Sequence, residues 1–269
     1  MLTARCATEE ELLELNAVPT SIFSGCVGWQ FASGYLASSG TICDTCPVTS
    51  QEFDWRFDFG EYGYIDGYAW IISSLHNRQH ESHRPLFNEF EGAVRYGYRL
   101  AISEKVTLDT RAGPLWNPPI GYEHSYQNYW GPYVVQSLNN PYVVPYWSGL
   151  WLLAPRMRGR VRMGLRKTFT LCEGVTLTPS AETVWMDRRR FYARYGDNPE
   201  QDHIFGGAFA TTTVGLRLSW MCAKGLTLYM MFQQFDIINS QARRAVERSH
   251  AYYAKCDWPF LKVGVEYDF

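Results

Sequence analysis

Apolar and polar residues alternate with a period of two along most of this chain. In 214–234, Leu216, Leu218 and Trp220 share a face, and after a turn so do Leu226, Leu228, Met230 and Phe232. Such alternation marks strands with one apolar face and one polar face. Three segments read as hairpins: 88–112 turning at Ser103-Glu104, 161–185 turning at Cys172-Glu173-Gly174, and 214–234 turning at Cys222-Ala223-Lys224. Their arms are long enough to cross a membrane when tilted, and their connections are short.

The C-terminal segment is the most informative. Leu261, Val263, Val265, Tyr267 and Phe269 lie on one face, and Phe260, Lys262, Gly264, Glu266 and Asp268 on the other. Lys262, Gly264, Tyr267 and Phe269 follow the order polar residue, glycine, aromatic, terminal aromatic. In this the segment resembles the C-terminal signal of bacterial outer-membrane β-barrels. The resemblance implies that these four residues are read by the barrel-assembly machinery and that the strand closes the barrel against the first one. It also implies an all-β fold: a closed antiparallel up-and-down transmembrane β-barrel with short periplasmic turns and longer extracellular loops.

If the tight turns all lie on one side, the number of strands between any two of them is even. Between the turns at 103 and 172 the clear strands are 105–117, 142–153 and 157–171, so a further crossing is required. Residues 126–136 supply it despite Gly131 and Pro132, which are poor strand formers. Twelve strands result, at 22–34, 52–60, 66–76, 87–101, 105–117, 126–136, 142–153, 157–171, 174–188, 205–221, 225–238 and 257–269. Both termini then fall in the periplasm. Long connections at 35–51, 77–86, 118–125, 189–204 and 239–256 fall outside, and 154–156 is a short exception. Residues 240–251 read as a loop helix and 8–15 as a short periplasmic one. Residues 1–21 form a periplasmic N-terminal segment, and 22–269 form one barrel domain.

Phasing each strand by its apolar side assigns the other side to the lumen. The inward candidates are Asp54, Arg56, Asp58, Glu89, Glu91, Arg95, Arg99, Asp109, Arg111, Arg158, Arg160, Arg162, Arg166, Glu182 and Arg217. Such a set either neutralises itself and plugs a narrow lumen, or lines a water-filled path favouring anionic or hydrogen-bonding solutes. Lys167 violates the phasing, because it falls on the lipid face; near the periplasmic interface the cost of a charge there is small.

Composition supports the membrane reading. Aromatics reach 16% and charged residues only 19%, while mean hydropathy is negative. No apolar run reaches the ~18 residues of a transmembrane helix. Alternating strands keep mean hydropathy low, and Tyr, Trp and Phe gather at both interfaces. A net charge of −2 predicts no nucleic-acid partner. Met1 to Val18 lacks the apolar centre of a signal peptide. An exported protein needs one, so a processed or truncated chain is expected.

The seven cysteines are scattered, and Cys43 and Cys46 suit a local loop disulfide better than metal or redox chemistry. His76, His80 and His83 would share a face of a helical turn, a weak metal candidate beside the reading of a solvated loop. No cofactor is expected. Enzyme activity is uncertain and disfavoured: His124-Ser125 does not match the His-x-Ser motif of outer-membrane phospholipase A, which the chain resembles in size and strand count. No Gly-x-Ser-x-Gly elbow occurs either. The expected function is therefore a porin-like outer-membrane channel for small polar or anionic solutes in a Gram-negative bacterium. The alternatives are a non-conducting barrel whose loops bind a partner or lipopolysaccharide, and an outer-membrane lipid hydrolase or protease. Expected partners are outer-membrane lipids, lipopolysaccharide, the assembly machinery and small polar solutes.

Overall fold

The computed structural model describes residues 22–37, 41–44, 47–75, 87–117, 129–153, 158–189, 207–248 and 256–269. Its strands are β1 (Phe23–Ala32), β2 (Tyr35–Ala37), β3 (Thr41–Asp44), β4 (Val48–Asp58), β5 (Tyr64–Ser74), β6 (Phe87–Ser103), β7 (Val106–Asn117) and β8 (Tyr129–Asn139). They continue as β9 (Val144–Leu152), β10 (Arg158–Arg166), β11 (Phe169–Cys172), β12 (Val175–Asp187), β13 (Gly207–Ala223), β14 (Leu226–Ile237) and β15 (Asp257–Asp268). A helix, α1 (Ser240–Arg248), precedes β15.

All but β2 and β3 join one antiparallel sheet. β1 pairs with β4 on one side and β15 on the other, and β10 pairs with both β9 and β12, so the sheet closes on itself. β10 and β11 are one stave broken at Lys167 and Thr168, which makes a closed barrel of twelve staves. No described helix is long and apolar enough to cross a membrane.

Short connections gather at one end: 59–63, Glu104-Lys105, 140–143, Glu173-Gly174 and Lys224-Gly225. Gly174 and Gly225 carry φ of 70° and 75°, a backbone conformation that costs glycine nothing. Phe23 and Phe269 lie at the same end.

The strand demanded by parity is present as β8, three residues later than expected. Pro132 faces Pro114 across the β7–β8 ladder. The pairing of β8 with β9 starts only at Tyr133, and the pairing of β6 with β7 skips Pro114. Each proline thus sits where its missing N–H breaks no ladder bond. Other bounds shift as well. The stave expected at 52–60 starts at Val48, because Thr49, Ser50 and Gln51 weaken the apolar contrast while their backbones still pair with β1. The stave expected at 66–76 is β5, and the loop expected at 35–51 holds the β2–β3 hairpin.

Large apolar side chains cover the outside: Phe53 and Phe57 on β4, Val94, Tyr96, Tyr98 and Leu100 on β6, and Leu216, Leu218 and Trp220 on β13 are exposed. The outward Gln136 is internally satisfied. Its Nε2 donates to Thr110 Oγ1 at 3.0 Å, and its Oε1 accepts from Trp147 Nε1 at 2.8 Å. A polar group facing hydrocarbon needs such partners, because lipid supplies none. Lys167 is resolved similarly: its ammonium donates to the Pro141 carbonyl at the short-turn end and lies 5.8 Å from the Phe169 ring centre.

Candidate functional site: the inner face of the barrel

The strand alternation that turns Phe, Val and Leu outward brings charged side chains from many staves onto one inner face. At the short-turn half, Asp66 on β5 accepts from Arg95 Nε on β6 at 2.8 Å and from Arg111 Nη1 on β7 at 3.2 Å. Arg56 on β4 approaches the same carboxylate at 4.0 Å. Arg99 lies between Asp58 at 3.7 Å and Asp109 at 3.9 Å. Tyr64 Oη donates to Asp109, and the Arg56 guanidinium stacks 4.0 Å from the Tyr64 ring centre. Asp54, the remaining inward acid predicted on β4, is half-buried.

A second group lies across the barrel. Arg162 on β10 pairs with Glu182 on β12 at 3.2 Å, and Tyr146 Oη donates to the same carboxylate at 2.9 Å. Arg166 lies 5.7 Å from the Tyr146 ring centre, and Arg160 is buried. A third pair is Arg217 on β13 with Glu266 on β15 at 2.5 Å, with Arg217 over the Tyr229 ring. Cation–ring contacts of this kind hold a guanidinium without neutralising it. Glu91 is buried and accepts from Tyr68 Oη at 2.7 Å.

Charge is unevenly spread. β10 carries Arg160, Arg162 and Arg166 with no carboxylate on it or on β9, whereas β1, β4 and β15 bring Glu52, Asp54, Glu266 and Asp268 to neighbouring inward positions around Cys26 and Gly28. The side chains of Arg56, Arg99, Arg111, Arg162 and Arg217 remain 23–30% exposed beside their acid partners. The backbones of Glu89 and Arg158 are in β6 and β10, but their side chains fall outside the described residues. So do His76, His80, His83, Cys46 and the side chain of Cys43. The helix expected at 8–15 does too. Among the described residues no group of His, Cys, Asp or Glu is arranged to hold a metal.

The long-loop half of the inner face is different, and phasing missed it. There Ala32, Val48 and Ile72 form one buried apolar cluster, and Ala93, Leu115, Leu150 and Leu152 a second, with Tyr68 and Tyr133 against it. A third joins Val184, Met186, Ala210, Phe235, Ile237 and Phe260 to Ala242 of α1, with Val246, Cys256 and Trp258 packed on it. These clusters form an apolar collar on the loop side of the charged zone. The helix lies on the inward side chains of β12–β15, so it covers the mouth there. Asn239 Oδ1 accepts from the Gln241 and Ala242 backbone N–H groups and caps α1. Arg243 pairs with Asp236, approaches Asp257 at 4.0 Å, and donates to the Ile237 carbonyl at 2.6 Å.

The C-terminal residues occupy defined places. Lys262 and Gly264 point inward, and Tyr267 and Phe269 outward. A Cβ on Gly264 would stand 2.6 Å from the Tyr229 ring and 2.8 Å from the Trp29 carbonyl oxygen, so only glycine fits beneath that ring. Phe269 has its ring centre 5.8 Å from that of Phe23 and 6.5 Å from that of Phe53.

No family model matches the sequence, and no curated protein matches it. Solved structures do match the fold. An outer membrane channel from Pseudomonas putida F1 aligns with a TM-score of 0.54 at 12% identity, covering 94% of this chain and 97% of that one. The NanC porin aligns with a TM-score of 0.50 at 11% identity, covering 91% and 98%. At such identities the likeness is one of fold, that of a closed, porin-like outer-membrane β-barrel.

Proposed function

We propose that this chain is an integral channel of the bacterial outer membrane for small polar or anionic solutes. Its short turns and termini lie in the periplasm, and its long loops outside. The observation that carries this reading is the ladder of partly exposed arginine side chains inside a closed barrel whose outside is apolar. β10 adds Arg160, Arg162 and Arg166 to that ladder, with Arg162 paired to Glu182 on the next stave, and such positive charge in a lumen favours anions. The solved neighbour from Pseudomonas putida is described as an outer membrane channel, which accords with this. Lys262, Gly264, Tyr267 and Phe269 act in the same reading as the assembly signal, and lipids with lipopolysaccharide surround the wall.

A second reading is favoured by the buried collar: a non-conducting barrel whose loops bind a partner or lipopolysaccharide. Planar-bilayer recording separates the two. The channel reading expects single-channel steps from folded protein, and a reversal potential that moves toward cation preference when Arg160 and Arg162 are replaced by alanine. Absence of steps from a heat-modifiable, folded barrel would remove it.

A further inference from the structure

The outer wall carries a furrow that crosses six staves, from β7 to β13, with a volume of about 570 Å³. That size falls within the range of about 300–1,000 Å³ usual for ligand sites. One bank consists of Leu108 with its partner Leu138, then of Pro145, Leu165 and Ala181 in register across β9, β10 and β12. The other bank runs through Trp147, Met163 and Thr183, also in register. These residues alternate along their strands with the inward Tyr146, Arg162 and Glu182, so the furrow opens on the apolar outside. Its polar members are already satisfied. Thr183 and Thr212 each donate to a backbone carbonyl oxygen at 2.9 Å, and Gln136 is held by Thr110 and Trp147. The surface left on offer suits hydrocarbon. At the usual spacing of neighbouring strands the furrow is roughly 24 Å long, enough for an acyl tail that spans half of a ~30 Å bilayer core.

Lys167 stands beside this furrow, two residues beyond Leu165 on the same outward face and level with the short turn at 140–143. Its ammonium donates to the Pro141 carbonyl, faces the Phe169 ring and meets no carboxylate among the described residues. An ammonium has three donors, so two remain for a ligand. A cation on the lipid-facing wall at headgroup depth attracts anionic lipid. Resting on the reading of this chain as an integral outer-membrane barrel, we infer that the furrow and Lys167 form one site for an anionic phospholipid. Its acyl tail lies along the furrow past Leu165, and its phosphate takes the remaining donors of Lys167. A zwitterionic lipid binds less well, because its own ammonium competes for the phosphate.

Native mass spectrometry of the full chain, refolded in mild detergent, tests this with phosphatidylglycerol and phosphatidylethanolamine of identical chains. Wild type should retain one phosphatidylglycerol per barrel in preference to phosphatidylethanolamine. Lys167→Gln should remove that preference, weakening phosphatidylglycerol by about fivefold, and Lys167→Arg should keep it. Ala181 is exposed in the furrow, so Ala181→Phe should fill it and weaken both lipids. All three substitutions lie on the outside, and heat-modifiable migration reports that each barrel is folded. Equal retention of the two lipids by wild type, or unchanged retention in Ala181→Phe, overturns the inference. A dimer that Ala181→Phe dissociates makes the furrow an interface between copies and overturns it too. Insertion into lipid vesicles is scored separately. A chain that does not insert removes the membrane reading and this site together, whereas an inserted barrel with no lipid preference removes the site alone.

Discussion

Gly25 and Phe269 exchange both backbone hydrogen bonds, Gly25 N to Phe269 O at 3.0 Å and Phe269 N to Gly25 O at 2.9 Å. The last residue of the chain thus completes the seam between β1 and β15. The Phe269 ring also folds over Gly25, where a Cβ would stand 2.6 Å from its Cζ and 2.7 Å from the Asp54 carbonyl oxygen.

Gly25→Val should therefore force the terminal ring aside and open the seam, at a cost of about 1–3 kcal/mol. Urea unfolding of the refolded barrel in lipid vesicles measures this. Gly28→Ala on the same strand is the control, since its Cβ meets its nearest neighbour at an ordinary 3.6 Å. Equal midpoints for the two variants would contradict the role given to the seam.

Asp66 is the shared acceptor of Arg95 and Arg111, with a side-chain exposure of 6%. Asp66→Asn removes the counter-charge that Arg95, Arg111 and, at 4.0 Å, Arg56 share, leaving Arg111 with Asp109 at 3.9 Å. Removing one partner from a buried ion pair typically costs about 3–5 kcal/mol. The unfolding midpoint should drop accordingly, and a shift within error of wild type would show that water replaces the carboxylate.

Tyr64 lies on Gly97, its in-register neighbour on β6, and is itself 1% exposed. A methyl group from Gly97→Ala would fall on the ring and displace it from Asp109. We expect a loss of about 1–3 kcal/mol. Gly92→Ala should cost less, because its Cβ comes no nearer than 3.3 Å to the Phe90 ring.

Burial first, and then Glu247, push the Cys256 thiol above its ordinary value. Only the thiolate attacks an alkylating agent, so a raised pKa means less nucleophile at pH 8 and slow labelling that speeds up at higher pH. In single-cysteine variants Cys256 should react more slowly with iodoacetamide than the exposed Cys172. Equal rates at pH 8 would show that the loop-end cluster opens freely.

The period of two in 214–234 and 257–269 sets the staves, and the parity of tight turns requires β8 in spite of Gly131 and Pro132. Both follow from local geometry: side chains alternate along a strand, and a closed sheet of antiparallel staves returns its ends to one side. Contrast between faces also places the charged positions, wherever the opposite face is apolar. It fails where both faces are apolar, as in Leu150-Trp151-Leu152 and Val184-Trp185-Met186, because such a run carries no phase. The collar was illegible in sequence for that reason. Nor does spacing along the chain reveal that Tyr64 meets Asp109 across β6, or that Ala242 seats on side chains of four staves. Those meetings depend on the stagger of neighbouring strands around a closed wall, which exists only once the barrel has closed.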